Sequence, residues 1–263
     1  MNALLDKGWQ KFASDPAVLE WLKSAVPVAL KARRDLAFVR DWLDCEGTWF
    51  VGVDALNADE RGAVEGSGPL KGTVLEFLRS YLGGALLPFD KGQVSIVYPG
   101  YPRPRMGESD AGFWYRQNRD AAHVDGLKPV GKARRRMVKE PHAFVLGLPM
   151  TACNDRTAPL VIWEGSHKIM QRVFRTALKA HPVETWMDVD LTNVYQTARR
   201  EVFETCPRVK VTAQPGEAYL LHRHALHGVS SWEEGAEAPD EGRMICYFRP
   251  EFTGGVKEWL DAP

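Results

Sequence analysis

His123-Val124-Asp125-Gly126, taken with the later run Glu217-Ala218-Tyr219-Leu220-Leu221-His222-Arg223-His224-Ala225-Leu226-His227-Gly228, decides how this chain is read. In an extended segment residues i and i+2 point the same way, so His123 and Asp125 can reach one ion together. Two imidazoles and one carboxylate on one face of a metal form the 2-His-1-carboxylate triad, which leaves positions open on a non-haem Fe(II) where a cosubstrate and oxygen can meet. The second imidazole must come from elsewhere in the fold. His222 and His224 would share one strand face, while His227 falls past the strand end, next to a glycine that lets backbone approach closely. Each of the three, taken alone, is equally readable as a hydrogen-bonded core or rim histidine. The interval to the last of them, 227 − 123 = 104 residues, suits a strand on the opposite side of a barrel.

The bulk properties agree with small-molecule chemistry. Lys+Arg and Asp+Glu are both 34, a formal net charge of zero, which argues against broad electrostatic capture of nucleic acid or of an anionic membrane. Cys45, Cys153, Cys206 and Cys246 are scattered without a Cys-x-x-Cys pair, so neither a structural zinc site nor a disulfide framework is expected and a reducing cytoplasm is the default location. No apolar run is long enough to span a bilayer. A chain of 263 residues can bury one sizeable core, and a single domain is expected over residues 1–263.

Local signals divide that domain. Ser14-Asp15-Pro16 reads as a helix start, Pro27 as a break or kink in that helix, and Ala29 to Leu43 as its resumption. Val74, Phe77, Leu78, Tyr81 and Leu82 have helical spacing and Gly83-Gly84 ends the run, whereas Gly47 to Val53 looks extended. Residues 1–90 are thus expected as helical additions. From residue 93 the runs become short and β-rich: Gln93 to Tyr98, His142 to Leu148, Leu160 to Trp163, Val209 to Thr212, Ala218 to His222 and Arg243 to Phe248. Helical stretches at Lys168 to Ala180 and Leu191 to Glu204 interrupt them, giving a β core over residues 91–252 with a helical insertion at about 168–205.

The order of landmarks resembles the phytanoyl-CoA dioxygenase-like family of Fe(II)/2-oxoglutarate-dependent oxygenases. The resemblance runs from about residue 93 to 250: His123-Val124-Asp125, then Leu160 to Glu164 closing on Gly165-Ser166-His167, then Pro215-Gly216-Glu217 leading to His227-Gly228, then Arg243. It implies a mainly β fold, a double-stranded β-helix or cupin-like jelly roll with flanking helices. It also implies His123, Asp125 and His227 as both the catalytic residues and the ligands of Fe(II), with His227 preferred over His222 and His224 because it directly precedes glycine. The implied activity is a dioxygenase that uses 2-oxoglutarate as cosubstrate and O2, releases succinate and CO2, and hydroxylates or otherwise oxidises a small organic substrate. Departures occur at Glu164, Thr157-Ala158 and Glu217, and in the acidic loop of Glu233, Glu234, Glu237, Asp240 and Glu241, which bear on the substrate side of the site.

Arg243 has a physical role of its own. A chelated 2-oxoglutarate presents a far carboxylate that needs a buried cation, and arginine's planar fork binds carboxylates bidentately. Arg249 would share its strand face and is the rival anchor, with a surface strand-end charge as its plainer reading. Tyr98, in Ile96-Val97-Tyr98-Pro99, is similar to a tyrosine near the cosubstrate carboxylate in plant-type 2-oxoglutarate oxygenases, or is a core tyrosine satisfied locally. His167 either supports the cosubstrate pocket or bonds within a turn. Lys132, Arg134, Arg135, Arg136 and Lys139, with Arg116 and Arg119 before the His-x-Asp, read as a solvated loop or as a dock for an anionic substrate. Two other functions remain open at this level: a zinc-dependent cupin-type isomerase or hydrolase using His222 and His224, and an inactive fold serving as a binding module. Substrate identity and oligomeric state are not encoded in any motif.

Overall fold

The computed structural model describes residues 2–263. The chain begins with a short helix α1 (Ala3–Lys7) and a strand β1 (Trp9–Phe12), followed by the long helix α2 (Pro16–Arg34) and α3 (Leu36–Trp42). Asp15 caps α2, its carboxylate accepting from the Ala17 N–H at 2.8 Å with Pro16 in the first turn. Pro27, expected to break or kink this helix, does not break it and sits inside it. Its ring is on the exposed side, while Trp21, Leu22, Ala25, Val28, Ala29 and Ala32 bury the opposite face, and that burial outweighs the roughly 3 kcal/mol cost of an interior proline. The break falls instead at Asp35, which ends α2 and caps α3 through the Ala37 N–H at 2.8 Å.

Two-residue strands β2 (Leu43–Asp44) and β3 (Trp49–Phe50) flank a tight turn, then come α4 (Thr73–Tyr81), β4 (Gln93–Val97) and α5 (Asp110–Asn118). A hairpin of β5 (Leu127–Val130) and β6 (Arg135–Val138) follows, then β7 (Phe144–Pro149), β8 (Leu160–Trp163), α6 (Ser166–Leu178) and α7 (Thr192–Thr205). The chain finishes with β9 (Arg208–Val211), β10 (Ala218–His222), β11 (His227–Val229), β12 (Arg243–Phe248) and α8 (Gly255–Asp261).

The strands assemble into a seven-stranded antiparallel sheet, β1-β10-β7-β12-β4-β3-β2, and a three-stranded sheet, β11-β8-β9. Between them lies an apolar interior of Val145, Leu160, Ile162, Val211, Tyr219, Leu221 and Ile245. The other face of the large sheet packs on α2 and α4 through Leu146, Leu148, Val94, Ile96, Met244 and Phe248. Because both faces are covered, β4, β7 and β10 are buried at every position; β7 reads as an unbroken apolar run, whereas β4 buries Gln93 and Ser95 and β10 buries His222. This is the double-stranded β-helix. Two expectations need correction. Residues 1–90 are not only helical additions, since β1 pairs with β10 at one edge of the large sheet, while β3, within the stretch expected to be extended, pairs with β4 near the other. The basic run after Asp125 is loop only in part: Lys132 and Arg134 lie in the exposed turn of the β5–β6 hairpin, while Arg135 and Arg136 are on β6. Among the described residues no helix is long and apolar enough to cross a membrane.

Candidate metal centre

His227 opens β11, paired with Ile162 of β8, and so faces the interior at the rim of the small sheet. His123 pairs with it in an isolated antiparallel bridge. Their rings lie 4.6 Å apart, centroid to centroid. Asp125 follows two residues on, its side chain on the same side, as the His-x-Asp spacing predicts. His123 Nε2 is 3.2 Å from Asp125 Oδ1, His227 Nε2 is 3.8 Å from Asp125 Oδ2, and the three ligand atoms lie within 4.8 Å of one another. Metal–ligand bonds of about 2.1 Å place neighbouring donors about 3 Å apart, so this spacing fits one ion. Among the described residues it is the one group of three His, Cys, Asp or Glu side chains that converges in this way.

The tautomers support the same reading. Nδ1 of His123 lies 3.0 Å from the Ala121 carbonyl and Nδ1 of His227 lies 2.9 Å from the Ala225 carbonyl. A carbonyl only accepts, so in each neutral ring Nδ1 carries the proton and Nε2 presents its lone pair toward Asp125. Lone pairs facing a carboxylate are held together well by a shared cation. Burial pushes His227 down to about 4, keeping it neutral near pH 7. Burial alone would raise Asp125, but the Arg249 cation beside it holds it well below the usual carboxylate range.

Two close approaches make the geometry possible. Gly126 has φ +84°, and a Cβ there would overlap the Glu140 carbonyl; a Cβ on Gly228 would overlap that of Asp120. Asp120 and Ala121 both adopt positive φ, 52° and 51°, immediately before Ala122-His123. This strained turn is held by Arg208, which donates to both carboxylate oxygens of buried Asp120 at 2.7 and 2.8 Å. Nothing in the local sequence marks Asp120 and Arg208, 88 residues apart, as partners. Ser166 of the Gly-Ser-His landmark has a role that the sequence did not state: its hydroxyl accepts from the Leu226 N–H at 2.9 Å, tying that segment to the turn before His227.

The other candidates separate. His222 and His224 are not with the triad. Leu221 and Tyr219 of β10 face the interior, so His222 faces the other way, where its ring packs between those of His167 and His224. His224 is fully buried against the Trp259 ring, 4.2 Å between centroids. His167 bonds the Leu5 carbonyl at 3.0 Å and anchors α1 rather than a cosubstrate pocket. Tyr98 follows inward-facing Val97 and points outward, its hydroxyl accepting from Arg33 at 2.7 Å. The structure therefore does not bring Tyr98 to the triad.

Arg249 is not a surface charge. It lines the triad's cavity, its Nη1 lies 3.6 Å from Asp125 Oδ2, and its Nη2 donates to the Gln93 side chain. Arg243 enters the interior at the other end of β12, beside Tyr219 and Ile245, where it lines a separate cavity of about 20 Å³. It is 5% exposed and its Nη1 has no hydrogen-bond partner. Two members of the triad, half-exposed His123 and buried Asp125, line a cavity of about 510 Å³, a size suited to a small ligand.

No protein-family model matches the chain, and no curated protein matches it by sequence. Solved structures do. The non-heme alpha ketoglutarate dependent carbocyclase SnoK from nogalamycin biosynthesis is similar at 13% identity over 97% of this chain and 86% of that one, with a TM-score of 0.50. EctD from S. alaskensis, solved with 2-oxoglutarate and 5-hydroxyectoine, aligns at 16% identity over 98% of this chain and 80% of that one, with a TM-score of 0.43. At such identities the likeness to SnoK speaks for the fold alone.

Proposed function

We propose that this chain is a non-haem Fe(II)/2-oxoglutarate-dependent oxygenase acting on a small organic substrate, with His123, Asp125 and His227 holding the iron. The convergence of two Nε2 lone pairs and one carboxylate, with both Nδ1 protons already committed to carbonyls, is the observation that carries this reading. Fe(II) with 2-oxoglutarate supplies oxidative decarboxylation to succinate and CO2 coupled to oxidation of the substrate. The chain's own residues bind and orient. A carboxylate among the ligands leaves no protein-vacated position for a halide, which favours hydroxylation or another chloride-free oxidation. Arg243 supports the cosubstrate assignment, because a buried guanidinium with an unpartnered Nη1 calls for an anion, and the far carboxylate of 2-oxoglutarate matches its fork.

Anaerobic titration with Fe(II) and 2-oxoglutarate tests the reading. The weak visible charge-transfer band of the chelate is expected in the wild-type protein and in His222→Ala, and is expected to vanish in His227→Ala. Asp125→Gly should weaken iron binding and abolish oxidation without unfolding the protein. Tight zinc binding with no band, or iron lost from His222→Ala and kept by His227→Ala, would replace this assignment with the zinc-dependent alternative.

A further inference from the structure

The triad's cavity contains two kinds of cation. Arg116 is matched by Glu108 at 2.6 Å, Lys128 by Glu140 at 2.8 Å and Arg105 by Asp44 at 2.7 Å. Arg134, Arg136 and Arg199 line the same cavity and have no carboxylate within 4.0 Å among the described residues. Two of these are held in place. Arg136, half-buried on β6, donates through Nη1 to the Leu127 carbonyl at 3.1 Å, and its N–H is fixed by Thr192 of α7 at 2.8 Å. Arg199 of α7 lies over two rings, 4.5 Å from the Tyr115 centroid and 5.3 Å from that of Tyr195. Stacking fixes the guanidinium plane and leaves its edge donors free. Tyr115 also ties this wall to the metal segment, donating to the Ala122 carbonyl at 2.7 Å, next to His123.

Like charges gathered in a concave, partly desolvated wall repel one another unless an anion joins them. We infer that the substrate carries an oxyanion, a carboxylate or a phosphate-type group, which Arg136 and Arg199 hold in the triad's cavity so that the rest of the molecule lies over His123 and Asp125. This names the substrate class of the oxygenase proposed above and rests on that reading for its meaning, while the anion site itself stands on the arginines alone. Burial and the neighbouring Arg134 and Arg199 cations lower Arg136, the signature of a site short of negative charge. Zero net charge and the concavity of the wall favour a small anion over a polyanion.

Inorganic phosphate and acetate, titrated against the whole protein by calorimetry at constant ionic strength, are the probes. Binding of one of them by wild type, weakened about tenfold to a hundredfold in Arg136→Gln and in Arg199→Gln, is the expected result. Arg135→Gln, on the other face of β6 and facing Asp190 at 3.5 Å, should bind as wild type does. Preference for phosphate or for acetate assigns the group. Melting temperatures of the two variants within a few degrees of wild type exclude a folding defect, and either variant suffices if the other does not fold. The variants should keep wild-type affinity for 2-oxoglutarate in the Fe(II)-loaded protein. Equal weak binding by all four proteins, or loss of 2-oxoglutarate affinity in place of probe affinity, would overturn the inference. Formation of the chelate band in the same samples separates that failure from failure of the oxygenase assignment.

Discussion

His123 and His227 each donate a backbone N–H to the other's carbonyl, at 2.8 and 3.0 Å, so the two imidazoles are paired through the main chain before any metal arrives. A closely spaced antiparallel pair fixes both side chains on one side of the strands, and Asp125 joins them by alternation. The centre is therefore preorganised, and its tolerance to change is set by the backbone around it as much as by its three ligands.

Gly228 tests that backbone. An added methyl at this position overlaps the Asp120 carbonyl, so the β11 segment must move away from His123. Gly228→Ala is expected to cost about 1 to 3 kcal/mol of stability and to weaken iron binding, as read by urea unfolding and by metal titration. Wild-type values in both would show that this approach has slack.

Arg208 tests the strained turn before His123. Removing it leaves the Asp120 carboxylate buried without its partner. Arg208 is itself over a third exposed, so Arg208→Ala should cost about 1 to 3 kcal/mol, less than a fully buried pair. Iron affinity should fall about tenfold or more although Arg208 touches no ligand. Competition against a chelator of known affinity measures this, and unchanged affinity would mean that the turn holds its shape unaided.

Arg243 and Arg249 make opposite predictions about the cosubstrate. Losing one partner of a buried carboxylate–guanidinium contact typically costs about 2 to 5 kcal/mol, so Arg243→Ala should bind 2-oxoglutarate roughly 30-fold to several-thousand-fold more weakly. Arg243→Lys should recover part of this, since a point charge lacks the fork. Iron affinity should hardly change. Dissociation constants measured on the oxygen-free Fe(II) protein decide the matter: a large loss in Arg249→Ala with none in Arg243→Ala would move the anchor to the residue beside Asp125.

Acid should destabilise the fold through His167, His222 and His224. Their rings lie in sequence, 4.9 and 5.3 Å apart and tilted to one another, and burial, aided by the Arg223 cation, pushes each below the ordinary histidine value. They are neutral when folded and titrate near 6.5 when unfolded, so below that pH the unfolded chain binds more protons. Stability is then lost as pH falls, by up to about 1.4 kcal/mol per pH unit for each histidine. Urea midpoints at pH 7.5, 6.5 and 5.5 should decline, and His224→Leu should decline less steeply. Identical slopes would show that His224 becomes charged without opening the core.

The sequence by itself determined the elements whose signals are local. The runs at Leu160–Trp163, Ala218–His222 and Arg243–Phe248 became strands at those bounds, because each is largely apolar and Pro or Gly punctuates the chain around them. His-x-Asp was legible as a same-side pair for the same reason: alternation is a property of two adjacent residues. Pro27 does not break α2 because propensity is local while the burial that overrode it is not, and β1 and the β5–β6 hairpin went unread because their partners or turns carry no strong pattern. The resemblance already preferred His227 among three nearby histidines; tertiary structure supplied the reason, a strand-end turn between His222 and His227 that reverses the facing of side chains five residues apart. It also decided that Asp120 meets Arg208, that Arg249 reaches Asp125 while Tyr98 turns away, and that Arg136 and Arg199 share one wall. Long-range pairings of this kind follow from how sheets close on one another, and no spacing along the chain states them.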